Sequence, residues 1–354
     1  MSASTPIGCE ITMMYRWGLW WVTFFITISQ YTMSQSNDMA GILFYNVENL
    51  FNPEPDSVAI DDEYLPQTFR QWNHYRKKIK QANISRVILY AGKWEPPVLV
   101  GVCEVEDKKV LNELIWTTGL NRFSYSVIHF NSPDQRGIDV ALIYRKDRFK
   151  VLRSFPVEVK LPPSFPPTRD ILYVCGILDE IDTLHVLVNH WPSRWGGEAS
   201  TRIKRLIAAK TLKNICDSIL SVSEHSKIIA MGDFNDEPND ESLKIVSRKP
   251  GTAGKRLINL AWNPVGKVPG TLKHQNAWFC FDQILVSSAL FAPRREGGFF
   301  LKDTMMHVIA ADFLLEKDYD YSGVKPFRTF EGNKYKGGFS DHLPVMIKLM
   351  RIIE

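Results

Sequence analysis

The chain has 354 residues, 45% of them hydrophobic, enough to bury a large core. Lys+Arg 43 against Asp+Glu 39 leaves a net charge of +4, too mild for charge alone to commit the chain to nucleic acid, though compatible with an anionic substrate. The cysteines form no C-x-x-C pair, which argues against a thiolate zinc site; an exported chain could pair some of Cys103, Cys175, Cys216 and Cys280, but several sit in apolar runs where a free buried thiol is the commoner reading.

In chain order, the first distinct segment is N-terminal. Arg16 precedes an apolar run at 17–28, and Thr32 and Ser34 put small residues at its exit. This pattern predicts a signal peptide cleaved after Ser34, with Met13 or Met14 as an alternative start. The other reading of 1–34 is a retained N-terminal anchor, although the run is shorter than the about 20 residues a membrane span needs. Either way the protein is expected to be exported, periplasmic or extracellular, and to meet a membrane only through this segment. No stable protein partner is implied.

From residue 38 onward, short apolar strands alternate with amphipathic helices. Strands are predicted at 41–45, 98–103, 125–130, 140–145, 171–177, 183–189, 227–231, 279–286 and 343–349. One helix is predicted over 74–90. A longer one over 199–221 presents Ile203, Ile207, Ile215 and Ile219 as its apolar ladder. The Pro-rich stretch 161–167 reads as a connector between two strands. The mixture of hairpins and βαβ units predicts α/β packing in one domain over 38–354.

Costly polar residues recur where the apolar strands end, which is where α/β enzymes place their working groups. Asn46 and Glu48 follow the first strand, Glu104 follows the second, and Asp139 opens Gly137-Ile-Asp-Val. Asn189-His190-Trp191, Gly232-Asp233-Phe234-Asn235, Asp282 and Ser340-Asp341-His342 complete the series. Each has a plain structural reading alone: an Asx turn at Asp233, an ion pair for Glu104 with Lys108 or Lys109, a carbonyl partner for either histidine. Seven such coincidences in one chain point instead to a shared site. Oxygen ligands with histidines suit a hard divalent cation and phosphoester hydrolysis. A serine hydrolase is excluded because no G-x-S-x-G elbow is present, and no Walker-type phosphate loop appears.

In these motifs the chain resembles the endonuclease/exonuclease/phosphatase (DNase I-like) superfamily, from Asn46 to His342 and in the family's order. The opening Phe44-Tyr-Asn-Val-Glu-Asn-Leu-Phe51 resembles bacterial exported members. The resemblance implies an α/β four-layer sandwich, two packed mixed β-sheets flanked by helices. It implies Mg²⁺, with Mn²⁺ or Ca²⁺ as substitutes, at Asn46, Glu104 and Asp341. His190 would bind a phosphate oxygen and Asp233 orient water or help hold the metal. Asn235 would donate to the phosphate, and His342 would act as base or acid supported by Asp282. Asp139 would orient His190.

Arg136 and Arg194 are expected to contact substrate phosphate; Arg194 beside Trp191 and Trp195 suits a backbone with a stacked base, the other reading being a loop pinned by Trp packing. The basic run 70–80 reads either as a nucleic-acid face or as the solvated side of a helix. The expected substrate is therefore DNA or RNA. The alternatives are a sphingomyelinase-like lipid phosphodiesterase, an inositol-phosphate phosphomonoesterase, or an inactive binding protein on the same scaffold.

Overall fold

A computed structural model describes residues 1–2, 38–54, 62–194, 196–291, 298–301 and 303–351. The N-terminal apolar run, the expected cleavage point after Ser34 and Trp195 lie outside the described residues. The chain divides into two units, Met1–Met39 and Ala40–Glu354, and the second holds both sheets and all the helices among the described residues.

In chain order its elements are β1 (Met39–Leu50), α1 (His74–Gly92), β2 (Leu99–Val105), α2 (Lys108–Thr117), β3 (Tyr125–His129), β4 (Asp139–Arg145) and β5 (Phe149–Val157). Then come β6 (Ile171–Leu178), β7 (Asp182–His190), α3 (Glu198–Val222), β8 (Lys227–Asp233), α4 (Glu241–Val246), β9 (Ser247–Arg248) and β10 (Leu257–Asn259). The last third holds β11 (Leu272–His274), β12 (Ala277–Phe279), β13 (Asp282–Val286), β14 (Phe299–Leu301), β15 (His307–Val308), β16 (Leu315–Lys317) and β17 (Val324–Pro326). It closes with β18 (Phe330–Glu331), β19 (Lys334–Tyr335) and β20 (Val345–Arg351).

Among the described residues six strands pair as β11-β12, β16-β17 and β18-β19, and the other fourteen form two seven-stranded sheets. One runs β14-β20-β1-β2-β4-β3 with β15 also on β20, the other β5-β6-β7-β8-β13-β10-β9. Each is mixed: β1 and β2 pair in parallel, as do β7 and β8, while β8 and β13 are antiparallel. Along β7, Val186 and Val188 join the core between the sheets, whereas Leu187 joins Ala208, Ala209 and Leu212 of α3 on the outer side. That alternation is the strand's period of two read directly as layers. On the other sheet, Ile84, Val87 and Ile88 of α1 and Val110 and Leu114 of α2 share a core with β1 and β2. Helix, sheet, sheet, helix is the four-layer arrangement expected from the sequence.

Both predicted long helices form, but their faces differ from expectation. On α3, Ile203 is exposed and the buried line is Ala208, Ala209, Leu212 and Cys216, with Arg205 buried among them. Those residues hold the inner position, and Ile207, Ile215 and Ile219 pack partly buried beside them. On α1 the buried positions include Lys77 and Lys80, so the basic run 70–80 is neither a solvated face nor a nucleic-acid face throughout. Lys77 Nζ reaches Asn52 Oδ1 at 3.0 Å and Glu113 at 2.6 Å, and Lys80 Nζ reaches the Phe339 carbonyl at 2.7 Å. Among the described residues no helix is long and apolar enough to cross a membrane. Cys103, Cys175, Cys216 and Cys280 are free.

Candidate active site

Strand register brings the site together. Because β7 and β8 run parallel, their last residues, His190 and Asp233, are paired. The antiparallel partner β13 begins opposite, so Asp282 pairs with Asp233. One sheet edge thus carries His190, Asp233 and Asp282 in a row. Gly232 makes this possible: a Cβ there would sit 2.4 Å from the Asn189 carbonyl oxygen, so only glycine allows the strands to meet.

The facing sheet contributes through two bulges. Asn46 pairs with Cys103, but the next pair is Leu50 with Val105. On the other side of β2, Cys103 and Val105 are consecutive partners of Val140 and Asp139, leaving Glu104 as the extra residue. Glu104 adopts φ 60°, and Glu48 and Asn49 adopt 52° and 58°. Bulges re-aim side chains, and left-handed non-glycine residues store strain where function requires it. The Ser340-Asp341-His342 segment is tied to the same place: Ser340 Oγ donates to the Asn46 carbonyl at 2.8 Å and accepts from the His342 amide at 3.1 Å.

Asp233 is the focus. Its Oδ2 accepts from Asn46 Nδ2 at 3.1 Å and lies 3.7 Å from both His190 Nε2 and His342 Nε2. Asn46 Nδ2 also donates to Glu104 Oε1 at 3.2 Å, and Glu104 Oε2 accepts from the Asn49 amide at 3.1 Å. His190 Nε2 stands 3.9 Å from Glu104 Oε1. His342 Nδ1 is 2.7 Å from Asp282 Oδ2, and both residues are buried.

This geometry separates the charge states. Burial pushes the Asp233 carboxyl up to about 7, the His342 cation opposing it and Asp282 adding to it. His190 is held well below the ordinary imidazole range, first by burial and then by Arg169, Arg136 and His342, so it is neutral. Burial also works against the His342 cation, but Asp282, Asp233 and Asp341 together outweigh it and raise that ring well above 6.5. One neutral and one charged histidine around a half-protonated carboxylate is an arrangement suited to proton transfer.

A divalent ion fits these residues. Glu104 and Asp233 offer oxygen to a hard cation, held side by side by the Asn46 amide, with little positive charge of their own. Asp233, Asp282 and His342 also cluster closely enough to ligate. The 2.7 Å Asp282–His342 bond makes that pair a supported imidazole instead, and the Glu104–Asp233 side the better cradle.

Several sequence expectations are corrected. Asp139 does not orient His190: it binds His129 Nε2 at 3.0 Å and Ser132, because β4 carries it beside β3. Arg194 is consumed by carboxylates, with Asp236 at 2.9 Å, Asp240 closer and Glu198 at 3.4 Å, and it caps the Asn235 carbonyl at 2.8 Å. It braces the loop instead of presenting charge to phosphate. Trp191 cannot stack a base, being 1% exposed and packed edge-on against Phe234 at 4.8 Å. Asn235 turns its amide to the Trp191 carbonyl at 3.0 Å, and its own N–H closes an Asx turn on Asp233 Oδ1 at 3.0 Å. Asp341 binds Arg328 Nη2 at 2.8 Å instead of joining Glu104, and Asn46 is a bridging donor before it is a ligand. Arg136 is exposed at the rim, donating to Asn49 Oδ1 at 3.0 Å.

Other contributors carried no sequence signal. Arg169 clamps the carbonyls of His190 and Trp191 at 3.3 and 2.8 Å while paired with Asp134 at 2.9 Å. Lys80 and Arg328 surround Glu48, a residue visible in the first motif but without an evident role there.

Comparison with known proteins agrees with this construction. The model of the Endonuclease/Exonuclease/phosphatase family matches residues 41–351. No curated protein matches the chain significantly. Among solved structures, it is similar to a mannosyl-6-phosphatase of Bacteroides thetaiotaomicron at 14% identity, covering 89% of this chain and 100% of the other, with a TM-score of 0.53. It is similar to D. rerio TDP2 complexed with single strand DNA product, at 16% identity, 88% and 98% coverage and a TM-score of 0.52. The human Nocturnin catalytic domain with bound sulfate anion gives 15% identity, 89% and 95% coverage and a TM-score of 0.51. At these identities the likeness carries the fold alone.

Proposed function

The chain belongs to the endonuclease/exonuclease/phosphatase family, a family of phosphoric ester hydrolases, and from that premise we propose that it is an exported, Mg²⁺-dependent phosphodiesterase that cuts nucleic acid. The observation that carries the reading is the convergence of Asn46, His190 and His342 on Asp233, within 3.1 to 3.7 Å, with Glu104 alongside. Arg136, exposed at the rim, supports a nucleic-acid substrate, and the D. rerio neighbour solved with a DNA product shares the fold. The apolar run at 17–28 supports export.

A phosphodiester resists attack because its own charge repels the nucleophile. A divalent ion, when bound at Glu104 and Asp233, would neutralise part of that charge. The chain's own groups divide the remaining work. Asp233 accepts the proton of the attacking water as the new P–O bond forms and the bond to the leaving oxygen breaks. His342, cationic and fixed by Asp282, gives its proton to the leaving oxygen as that bond breaks. Neutral His190 donates to a phosphoryl oxygen on which charge builds, and the 3.7 Å separations from Asp233 leave room for an oxygen to accept from either ring.

The test is hydrolysis by the purified full chain of plasmid DNA, RNA, bis-p-nitrophenyl phosphate, p-nitrophenyl phosphate and sphingomyelin, each with Mg²⁺ or chelator. Metal-dependent cleavage of DNA or RNA is expected. Turnover of the monoester or the lipid alone would overturn the nucleic-acid reading, and full activity in chelator would overturn the metal.

A further inference from the structure

Beside the Glu104–Asp233 cradle lies a second pair of acids. Glu48 and Asp341 are near enough to share one arginine side chain, and two acids that close call for a cation. The chain supplies its own. Arg328 Nη2 is 2.8 Å from Asp341 Oδ2 and its Nε is 3.4 Å from Glu48 Oε1. Lys80 Nζ, fully buried, lies 3.9 Å from Glu48 Oε2, which also accepts from the Thr329 amide at 2.6 Å. Two carboxylates therefore face two fixed cations. The situation at Glu104 and Asp233 is the reverse. Among the described residues, their neighbours within ion-pair distance are the imidazoles of His190, which is neutral, and His342.

We propose that Arg328, seconded by Lys80, is a built-in second cation of this centre. It occupies the Glu48–Asp341 pair, so the chain takes a single divalent ion, at Glu104 and Asp233, and Arg328 is the positioning residue that keeps the neighbouring acids closed to another. A planar guanidinium is suited to this because it bridges two carboxylates with donors in fixed directions, which an ammonium does not. Arg328 sits just after β17 in a loop leading to β18, while Asp341 adjoins His342, so the bridge also fixes the approach of the final motif to β1. The inference rests on the metal-dependent reading of the site.

The experiment counts ions and needs no substrate. Mn²⁺ is titrated into the full chain by calorimetry, and the bound ion is examined by electron paramagnetic resonance. Wild type is expected to bind one Mn²⁺ with an uncoupled spectrum. Glu104→Gln should weaken that site roughly tenfold or more. Arg328→Met should admit a second Mn²⁺, giving a coupled spectrum if the two ions lie about 4 Å apart. Arg328→Lys should restore a count of one or bind the second ion weakly, and Glu48→Gln added to Arg328→Met should abolish the second site. Two ions in wild type would overturn the proposal, and that measurement stands even if Arg328→Met fails to fold. One ion of unchanged affinity in a folded Arg328→Met would overturn it too. No ion in wild type would overturn both this inference and the metal-dependent reading, whereas one ion in wild type and in Arg328→Met would overturn only the inference.

Discussion

Asp282→Asn isolates the role of the His342 support. The two side chains meet at 2.7 Å with Asp282 wholly buried, so water cannot replace the lost charge. A hydrogen bond to a charged group contributes about 1.5–3 kcal/mol. Removing the carboxylate should therefore bring the His342 pKa down, Asp233 and Asp341 still holding it up. The amide can also present its NH₂ to Nδ1 and force the wrong tautomer, as a carboxylate never does. Activity should fall roughly 10²- to 10⁴-fold, the range of a positioned acid–base group. The assay is the pH–rate profile on bis-p-nitrophenyl phosphate, with ¹⁵N resonances of the His342 ring as a readout independent of turnover. Stability follows the same sign. The folded pKa of His342 lies above its unfolded value, so its contribution is complete below about 6.5 and lost as pH rises through the folded value. The variant should thus be weaker than wild type at neutral pH and converge with it in alkali. An unmoved alkaline limb, with the rate within about threefold of wild type, would refute the pairing as the source of the His342 cation.

Other substitutions probe the remaining parts. In the metal-free wild type the Asp233 carboxyl should titrate near pH 7, followed by its side-chain ¹³C resonance, and a midpoint near the ordinary value of about 4 would remove burial as the force that sets its charge. Glu104→Gln should cut the Mg²⁺-dependent rate by about 10²-fold or more. Its single amide oxygen can accept from the Asn49 N–H or from Asn46 Nδ2 but not both, so thermal melting should fall modestly. Arg194→Ala should lower stability by about 1–3 kcal/mol in urea through loss of Asp236 and Asp240, yet leave KM unchanged; a large rise in KM would restore Arg194 as a phosphate contact. Lys227→Met breaks a buried pair with Asp182 that also holds the Phe299 backbone. It should cost about 3–5 kcal/mol in urea with kcat intact.

The regular part of the fold was legible because burial writes itself into the sequence. β7 alternates between two cores, and β8 is buried throughout and reads as an unbroken apolar run ending in Gly232-Asp233. What escaped were elements whose order comes from tertiary contact. The region between β13 and β20 carries strands and hairpin arms of only two or three residues, too short for a period to show. β5 was missed for a different reason: it is an edge strand with several exposed positions, and its apolar pattern is broken. The face of α3 differs from expectation because the isoleucine ladder marks only its flank: Ile207, Ile215 and Ile219 are partly buried while Ala208, Ala209 and Leu212 hold the centre.

The site divides along the same physical line. Residues at strand ends could be read because a polar side chain terminating an apolar run is costly without a task, and His190, Asp233, Asp282 and His342 all sit there. The cations that tune them could not, since a lysine on a helix or an arginine in a loop looks the same whether solvated or buried. Lys80 belongs to a run of basic residues on α1, and nothing local separates it from its exposed neighbour Lys78. The distinction is made by Glu48, which the β1 bulge turns inward by adopting φ 52°. The unplaced carboxylate therefore points to its partners, not the reverse. Wherever a motif leaves an acid without a role, a buried cation from a distant segment is the first thing to seek. Here that segment is the one holding Arg328, and the charge it brings decides how many metal ions the centre has left to bind.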